Sequence, residues 1–198
     1  MVGMSASSNF PIQNLSGAFN QSTKFNTFED LFIVRFDQNG VRQWATFIQT
    51  DYYAANGGMD VGPNNNLFLA GYFTLSYKFA STVPMINPGN GAYYQSSKSV
   101  NPQSSFNDEG YIMEFNTNGA LVWSTYFGSS GTEQFEKIHV TVNGSIFLIG
   151  TAQTRQVTSG GTIYYPKLQS AGQYYDGSLV HGNPAKLFPK LADIALHA

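Results

Sequence analysis

Cysteine is absent from the 198 residues, which excludes a disulfide framework and thiolate chemistry but leaves the cellular compartment open. Charge is scarce too: 11% of residues are Asp, Glu, Lys or Arg, and the net charge is -2. No Lys or Arg stands beside another, so neither a phosphate-tracking surface nor an anionic-membrane patch is expected. No run approaches the roughly 18 apolar residues of a transmembrane helix. Met1–Ser5 has neither the charged start nor the apolar stretch of a secretory leader. What is plentiful is aromatic residues, at 15%, together with Gly, Asn, Ser and Thr. That balance belongs to short strands joined by turns.

The chain also repeats itself at an offset of 79 residues. Ile33, Phe36, Asn39, Gly40, Trp44 and Thr46 recur as Ile112, Phe115, Asn118, Gly119, Trp123 and Thr125. Asp30 opens the first window and Asp108 the second, which is one residue longer. Downstream, Leu67-Phe68-Leu69-Ala70-Gly71 matches Ile146-Phe147-Leu148-Ile149-Gly150. A period of this size marks one supersecondary unit used more than once.

Each unit reads as four short strands. In the first they are expected at 31–37, 41–48, 57–62 and 66–73, and in the second at 110–116, 120–127, 135–142 and 145–151. Asp37-Gln38-Asn39-Gly40, Pro63-Asn64-Asn65-Asn66, Asn118-Gly119 and Asn143-Gly144 supply turns, because Asn and Gly tolerate the left-handed backbone that tight hairpins need. Phe32, Val34 and Phe36 alternate with Ile33 and Arg35, and apolar residues lie on both faces. Such strands suit a sheet sandwiched between similar sheets.

Longer connectors separate the units. Phe10-Pro11 through Gly17-Ala18-Phe19-Asn20-Gln21 is echoed by Val83-Pro84 through Gly91-Ala92-Tyr93-Tyr94-Gln95, and again by Tyr165-Pro166 through Gly172-Gln173-Tyr174-Tyr175. Val2-Gly3-Met4-Ser5 reads as the tail of a fourth strand, like Ala70-Gly71, and Asp176-Gly177-Ser178-Leu179-Val180 as the start of another unit. The expected organisation is therefore the end of a preceding unit with its connector (1–29), a first unit (30–74), a connector (75–107) and a second unit (108–152). A connector with the start of a further unit (153–180) and an atypical tail (181–198) follow. Pro189–Leu196 reads as a short helix with Pro in its first turn. The expectation is of a fragment of a longer repeat protein.

These motifs resemble the bacterial seven-bladed β-propeller repeat family labelled SBBP. The resemblance is carried by Asp108-Glu109-Gly110-Tyr111-Ile112-Met113-Glu114-Phe115, Asn118-Gly119, Val122-Trp123-Ser124-Thr125-Tyr126-Phe127-Gly128 and Gly144-Ser145-Ile146-Phe147-Leu148-Ile149-Gly150-Thr151, with the Phe10-Pro11 connector, over about residues 2–180. Two places depart from it: Ile48-Gln49-Thr50-Asp51-Tyr52-Tyr53 stands where the second unit has Gly128-Ser129-Ser130-Gly131, and the tail after Val180 has no counterpart. The resemblance implies one propeller blade per unit and a secreted or cell-surface location. It carries no catalytic set.

Each residue that suits chemistry also suits a structural role. Trp44 and Trp123 suit sugar-stacking platforms, but recurrence at one strand position favours packing between units. Asp30, Asp108 and Asp176 suit carboxylates gathered at a ring axis, but an Asp at strand entry more simply bonds turn amides. Asp37-Gln38-Asn39-Gly40 hints at a calcium loop yet lacks the later acid, and its counterpart is the neutral Asn116, so a plain turn is favoured. His139 falls opposite Asp60, His181 and His197 lie in the tail, and no zinc spacing exists. Tyr93-Tyr94 and Tyr174-Tyr175 either line a binding surface or pin the connectors.

The fold expected is all-β: two four-stranded antiparallel propeller blades with a short helical C-terminal tail. The expected function is a non-catalytic scaffold or a protein- or glycan-binding module, without catalytic, cofactor or metal residues. Its partners would be a protein or glycan ligand and further blades of its parent, with no nucleic acid and no membrane insertion. The alternative is a propeller hydrolase or lyase acting at the ring axis. Ionisable groups converging at one end of the sheets with strongly shifted pKa values would favour that enzyme.

Overall fold

A computed structural model describes residues 1–24, 28–50, 52–76, 83–98, 106–129, 131–153 and 186–187. The described chain is all-β: β1 (Val2–Ser5), β2 (Asp30–Phe36), β3 (Arg42–Ile48), β4 (Tyr53–Val61), β5 (Leu67–Ser76), β6 (Phe106–Phe115), β7 (Leu121–Phe127), β8 (Thr132–Val140), β9 (Ile146–Gln153) and β10 (Lys186–Leu187), with a 3-10 turn at Pro63–Asn65. All eight expected strands form. The third strand of each unit is longer than the pattern suggested, because it continues toward the preceding loop.

The turns form as their residues require. Gly40 and Gly119 take φ of +77° and +80°, and their N–H groups close on the Asp37 and Asn116 carbonyls at 3.0 and 2.8 Å. The Asp37 carboxylate accepts the amides of Asn39 and Val41 at 2.9 Å, and Asn116 Oδ1 does the same for Asn118 and Ala120. Asp37-Gln38-Asn39-Gly40 is thus a self-capped turn, one acid replacing one amide in the same role.

Pairing is antiparallel throughout, but the sheets divide the repeat differently from the expectation of two four-stranded blades. The orders are β1-β2-β3, β4-β5-β6-β7 and β10-β9-β8. The strands of the first unit, β2 to β5, split between the first and second sheets, and those of the second unit, β6 to β9, between the second and third. A sequence period fixes the length of a unit but not its phase. Here the pairing partner of β5 is β6, in register from Leu67↔Phe115 to Ser76↔Phe106, although the 83–98 connector lies between them in the chain. That connector runs along the outside of β7, where Ile86 bridges Ser124, and its predecessor bridges Gln13 to Ala45 on β3. β3 and β7 are therefore each partly capped by the connector that precedes their sheet's hairpin.

The register of β1 on β2 repeats that of β5 on β6. Val2↔Ile33 and Gly3↔Phe32 reproduce Ala70↔Ile112 and Gly71↔Tyr111, so β1 occupies the place in the first sheet that β5 holds in the second. Lys186 and Leu187 pair with Thr151 and Gly150, extending the third sheet by a short strand. The third connector, Asp176–Val180 and the proposed helix at Pro189–Leu196 lie outside the described residues.

The three sheets pack in chain order through two cores. Leu31, Ile33, Trp44 and Ile48 meet Leu69, Phe73, Tyr111, Met113 and Phe115 between the first and second sheets. Phe68, Ala70, Ile112, Trp123 and Phe127 meet Phe135, Ile138, Val140, Ile146 and Leu148 between the second and third. The middle sheet is buried on both faces, as its strand pattern requires. The recurring glycine of the Leu-Ala-Gly and Leu-Ile-Gly segments sits opposite a β-bulge in each case. A Cβ on Gly71 would lie 2.1 Å from the Ala55 carbonyl oxygen, and one on Gly150 2.2 Å from that of Gln134. Only glycine fits against a bulged backbone at that distance.

Candidate functional site

The tryptophans are interior. Trp44 is 2% and Trp123 5% exposed. The Trp44 indole N–H donates to the Phe19 carbonyl at 3.0 Å, tying its connector to β3, while that of Trp123 donates to the Glu114 carboxylate. Neither ring offers a face to a sugar. Tyr93 lies against Phe127 with ring centroids 4.8 Å apart, and the Tyr94 hydroxyl donates to the Met85 carbonyl at 3.1 Å, so this tyrosine pair pins its connector. Tyr174 and Tyr175 lie outside the described residues.

Asp30 is fully buried at the start of β2, and its Oδ1 accepts the Thr50 amide at 3.1 Å, which is the turn-capping role. Asp108 is not its equivalent. Leu31↔Ile48 superposes on Gly110↔Phe127 at the 79-residue offset, so the counterpart of Asp30 is Glu109. Asp108 instead accepts the Thr74 hydroxyl at 2.5 Å and the Gln134 side-chain amide at 2.6 Å. The identity of the two Asp residues hid a one-residue slip. Asp176 lies outside the described residues.

His139 Nδ1 lies 2.9 Å from Asp60 Oδ2, joining two residues at equivalent positions of β8 and β4. The Val140 amide donates to the same oxygen at 2.8 Å and is the main reason the Asp60 carboxyl is held below its ordinary range. The pair is solvent-exposed, a surface tie between the sheets. His181 and His197 lie outside the described residues.

A concentration of ionisable groups that the sequence pattern does not announce lies where β7 turns into β8. The Glu109 and Glu133 side chains are both fully buried there. A Cβ on Gly128 would stand 2.6 Å from Glu133 Oε2 and 2.8 Å from Glu109 Oε1, so those oxygens are no farther apart than the two distances together. The Ser129 hydroxyl donates to Glu133 Oε1 at 2.5 Å and accepts the Gly131 amide at 3.1 Å. Gln95 organises the other side. Its Nε2 donates to Glu109 Oε1 at 2.7 Å, and its Oε1 accepts the Tyr93 hydroxyl at 2.8 Å and the Gly128 amide at 3.2 Å. Burial, with a smaller contribution from the charge of Asp108, pushes the Glu133 carboxyl up to about 7 against the opposing hydrogen bonds from Ser129. Burial first, then Glu109 and Glu133, raises the Tyr93 phenol.

The signal for this cluster was available in the repeat. At the offset of Glu133 the first unit has Ala54, itself buried. A buried acid where the sister strand carries a methyl group is a departure that strand-building does not demand. Among the described residues no group of three or more His, Cys, Asp or Glu is arranged to hold a metal. No helix among the described residues is long and apolar enough to cross a membrane. No family model matches the chain, and no curated protein matches it.

Proposed function

We propose that this chain is a non-catalytic segment of a β-propeller-type repeat array, of the SBBP kind, serving a secreted or cell-surface bacterial protein as a scaffold or as a protein- or glycan-binding module. The observation that carries this reading is that residues 79 apart do the same architectural work. Trp44 and Trp123 fill successive sheet interfaces, Asp37 and Asn116 cap the same turn, and Thr46 and Thr125 accept the amides of Gln21 and Gln95 from successive connectors at 2.8 and 2.9 Å. The repeated part of the sequence is thereby spent on stacking sheets and fastening connectors, which leaves recognition to exposed connector and turn residues. Binding of the intact chain to a glycan array and to surface-protein extracts tests the reading. Signal lost on replacing exposed connector residues such as Asn9, Ser16 and Asn90, with folding unchanged, supports it. Binding unaffected by those changes contradicts it.

A second reading, part of a propeller hydrolase or lyase, is favoured by the Glu109–Glu133 cluster and the elevated Glu133 carboxyl. Both carboxylates are fully buried, so that reading requires an opening to admit substrate. Turnover of chromogenic ester or glycoside panels that disappears in Glu133→Gln would select it.

A further inference from the structure

We propose that Glu109 and Glu133 hold one proton between them across the seam joining the second and third sheets, and that its loss loosens the third sheet, making the seam a pH-responsive joint. Glu109 belongs to β6 of the second sheet and Glu133 to β8 of the third. Both are fully buried, and an oxygen of each lies within 3 Å of the point a Cβ on Gly128 would occupy, Glu133 Oε2 at 2.6 Å and Glu109 Oε1 at 2.8 Å. Two ionised carboxylates so close in a dry site repel strongly, so one is favoured to remain neutral.

The hydrogen bonds say which one. Glu109 Oε1 accepts from the Gln95 amide, a donor that stabilises the ionised form. Glu133 Oε1 accepts from Ser129, whereas its Oε2 has no hydrogen-bond partner among the described residues. A proton on Oε2 turns that oxygen into a donor facing the Glu109 carboxylate. Among the described residues, no positive charge acts on the Glu133 carboxyl in its place. Asp108, on β6, disfavours the Glu133 carboxylate further, Tyr72 on β5 faces Asp108, and the Tyr93 phenol from the connector remains neutral. On deprotonation the Glu133 O–H bond breaks, the proton passes to water, and two buried anions face each other across the seam.

The first repeat is a built-in control. Ala54 occupies the equivalent place on β4, so the seam between the first and second sheets forms without an acid there. The joint is specific to the second seam.

Backbone hydrogen exchange of the full chain, corrected for intrinsic rates, tests this between about pH 5 and pH 8.5. Protection of β8 and β9 amides is expected to fall on the order of a hundredfold with rising pH, and that of β2 and β3 to change little. Glu133→Ala, copying the first repeat, and Glu133→Gln are expected to remove the dependence. Wild-type protection flat with pH, or the same dependence in both variants, overturns the proposal. Should either variant fail to fold, carboxyl-carbon NMR of the wild-type chain decides. One glutamate titrating near neutrality supports the shared proton, and all glutamates titrating in the ordinary range rule it out.

Discussion

Trp44 and Trp123 do the same job in two interfaces, and the account therefore makes paired rather than single predictions about them. Truncating either to Ala removes a buried ring from a sheet–sheet core and is expected to cost about 3–5 kcal/mol, read as a loss of unfolding free energy in urea. Equal costs at both positions would mark them as repeated core residues. A near-neutral effect at one would reopen a surface role for it. Glu133 carries a different kind of prediction. Its carboxyl titrates higher folded than unfolded, so the folded state holds the proton more tightly. Its contribution to stability is then full below the ordinary glutamate range and falls as pH rises through about 7, levelling off above. The loss is on the order of 3 kcal/mol. Unfolding midpoints that rise over this interval would contradict the sign.

At the level of strands and connectors, the bulge-facing glycines are the most demanding positions. Gly71→Ala forces a methyl group onto the Ala55 carbonyl and is expected to destabilise by about 1–3 kcal/mol, with Gly150→Ala behaving alike at Gln134. The connectors hang on fewer bonds. The Gln95 side chain gathers Glu109, Tyr93 and Gly128, so Gln95→Ala should loosen residues 83–98 and raise their proteolytic sensitivity while leaving the strands intact. Strand positions, turns and the two-sided burial of the middle sheet were legible because alternation and Asn-Gly turns are local signals. The phase of the sheets was not, since the β5–β6 pairing depends on contacts across a long connector that no local pattern encodes. The Glu109–Glu133 cluster escaped for a related reason. Its members come from β6 and β8, and the Asp30–Asp108 identity drew attention to the wrong neighbour of Glu109.

For the molecule as a whole, repeat equivalence makes the first sheet's outer face conspicuous. Phe115 is 1% exposed on the middle sheet because the first sheet covers it, whereas its equivalent Phe36 is 49% exposed. An apolar face of this kind favours association, and the isolated chain is expected to be marginal or to self-associate. Sedimentation velocity should show concentration-dependent species, weakened by Phe36→Ser. A monodisperse, cooperatively melting monomer would count against it. The central claim, though, is that the middle sheet joins the second half of the first repeat to the first half of the second. Cross-strand nuclear Overhauser contacts test it most directly: the account predicts backbone contacts between Leu69 and Met113 and between Tyr72 and Gly110, with β3 and β4 unpaired. Contacts placing β3 beside β4 in one sheet, with none between β5 and β6, would contradict it.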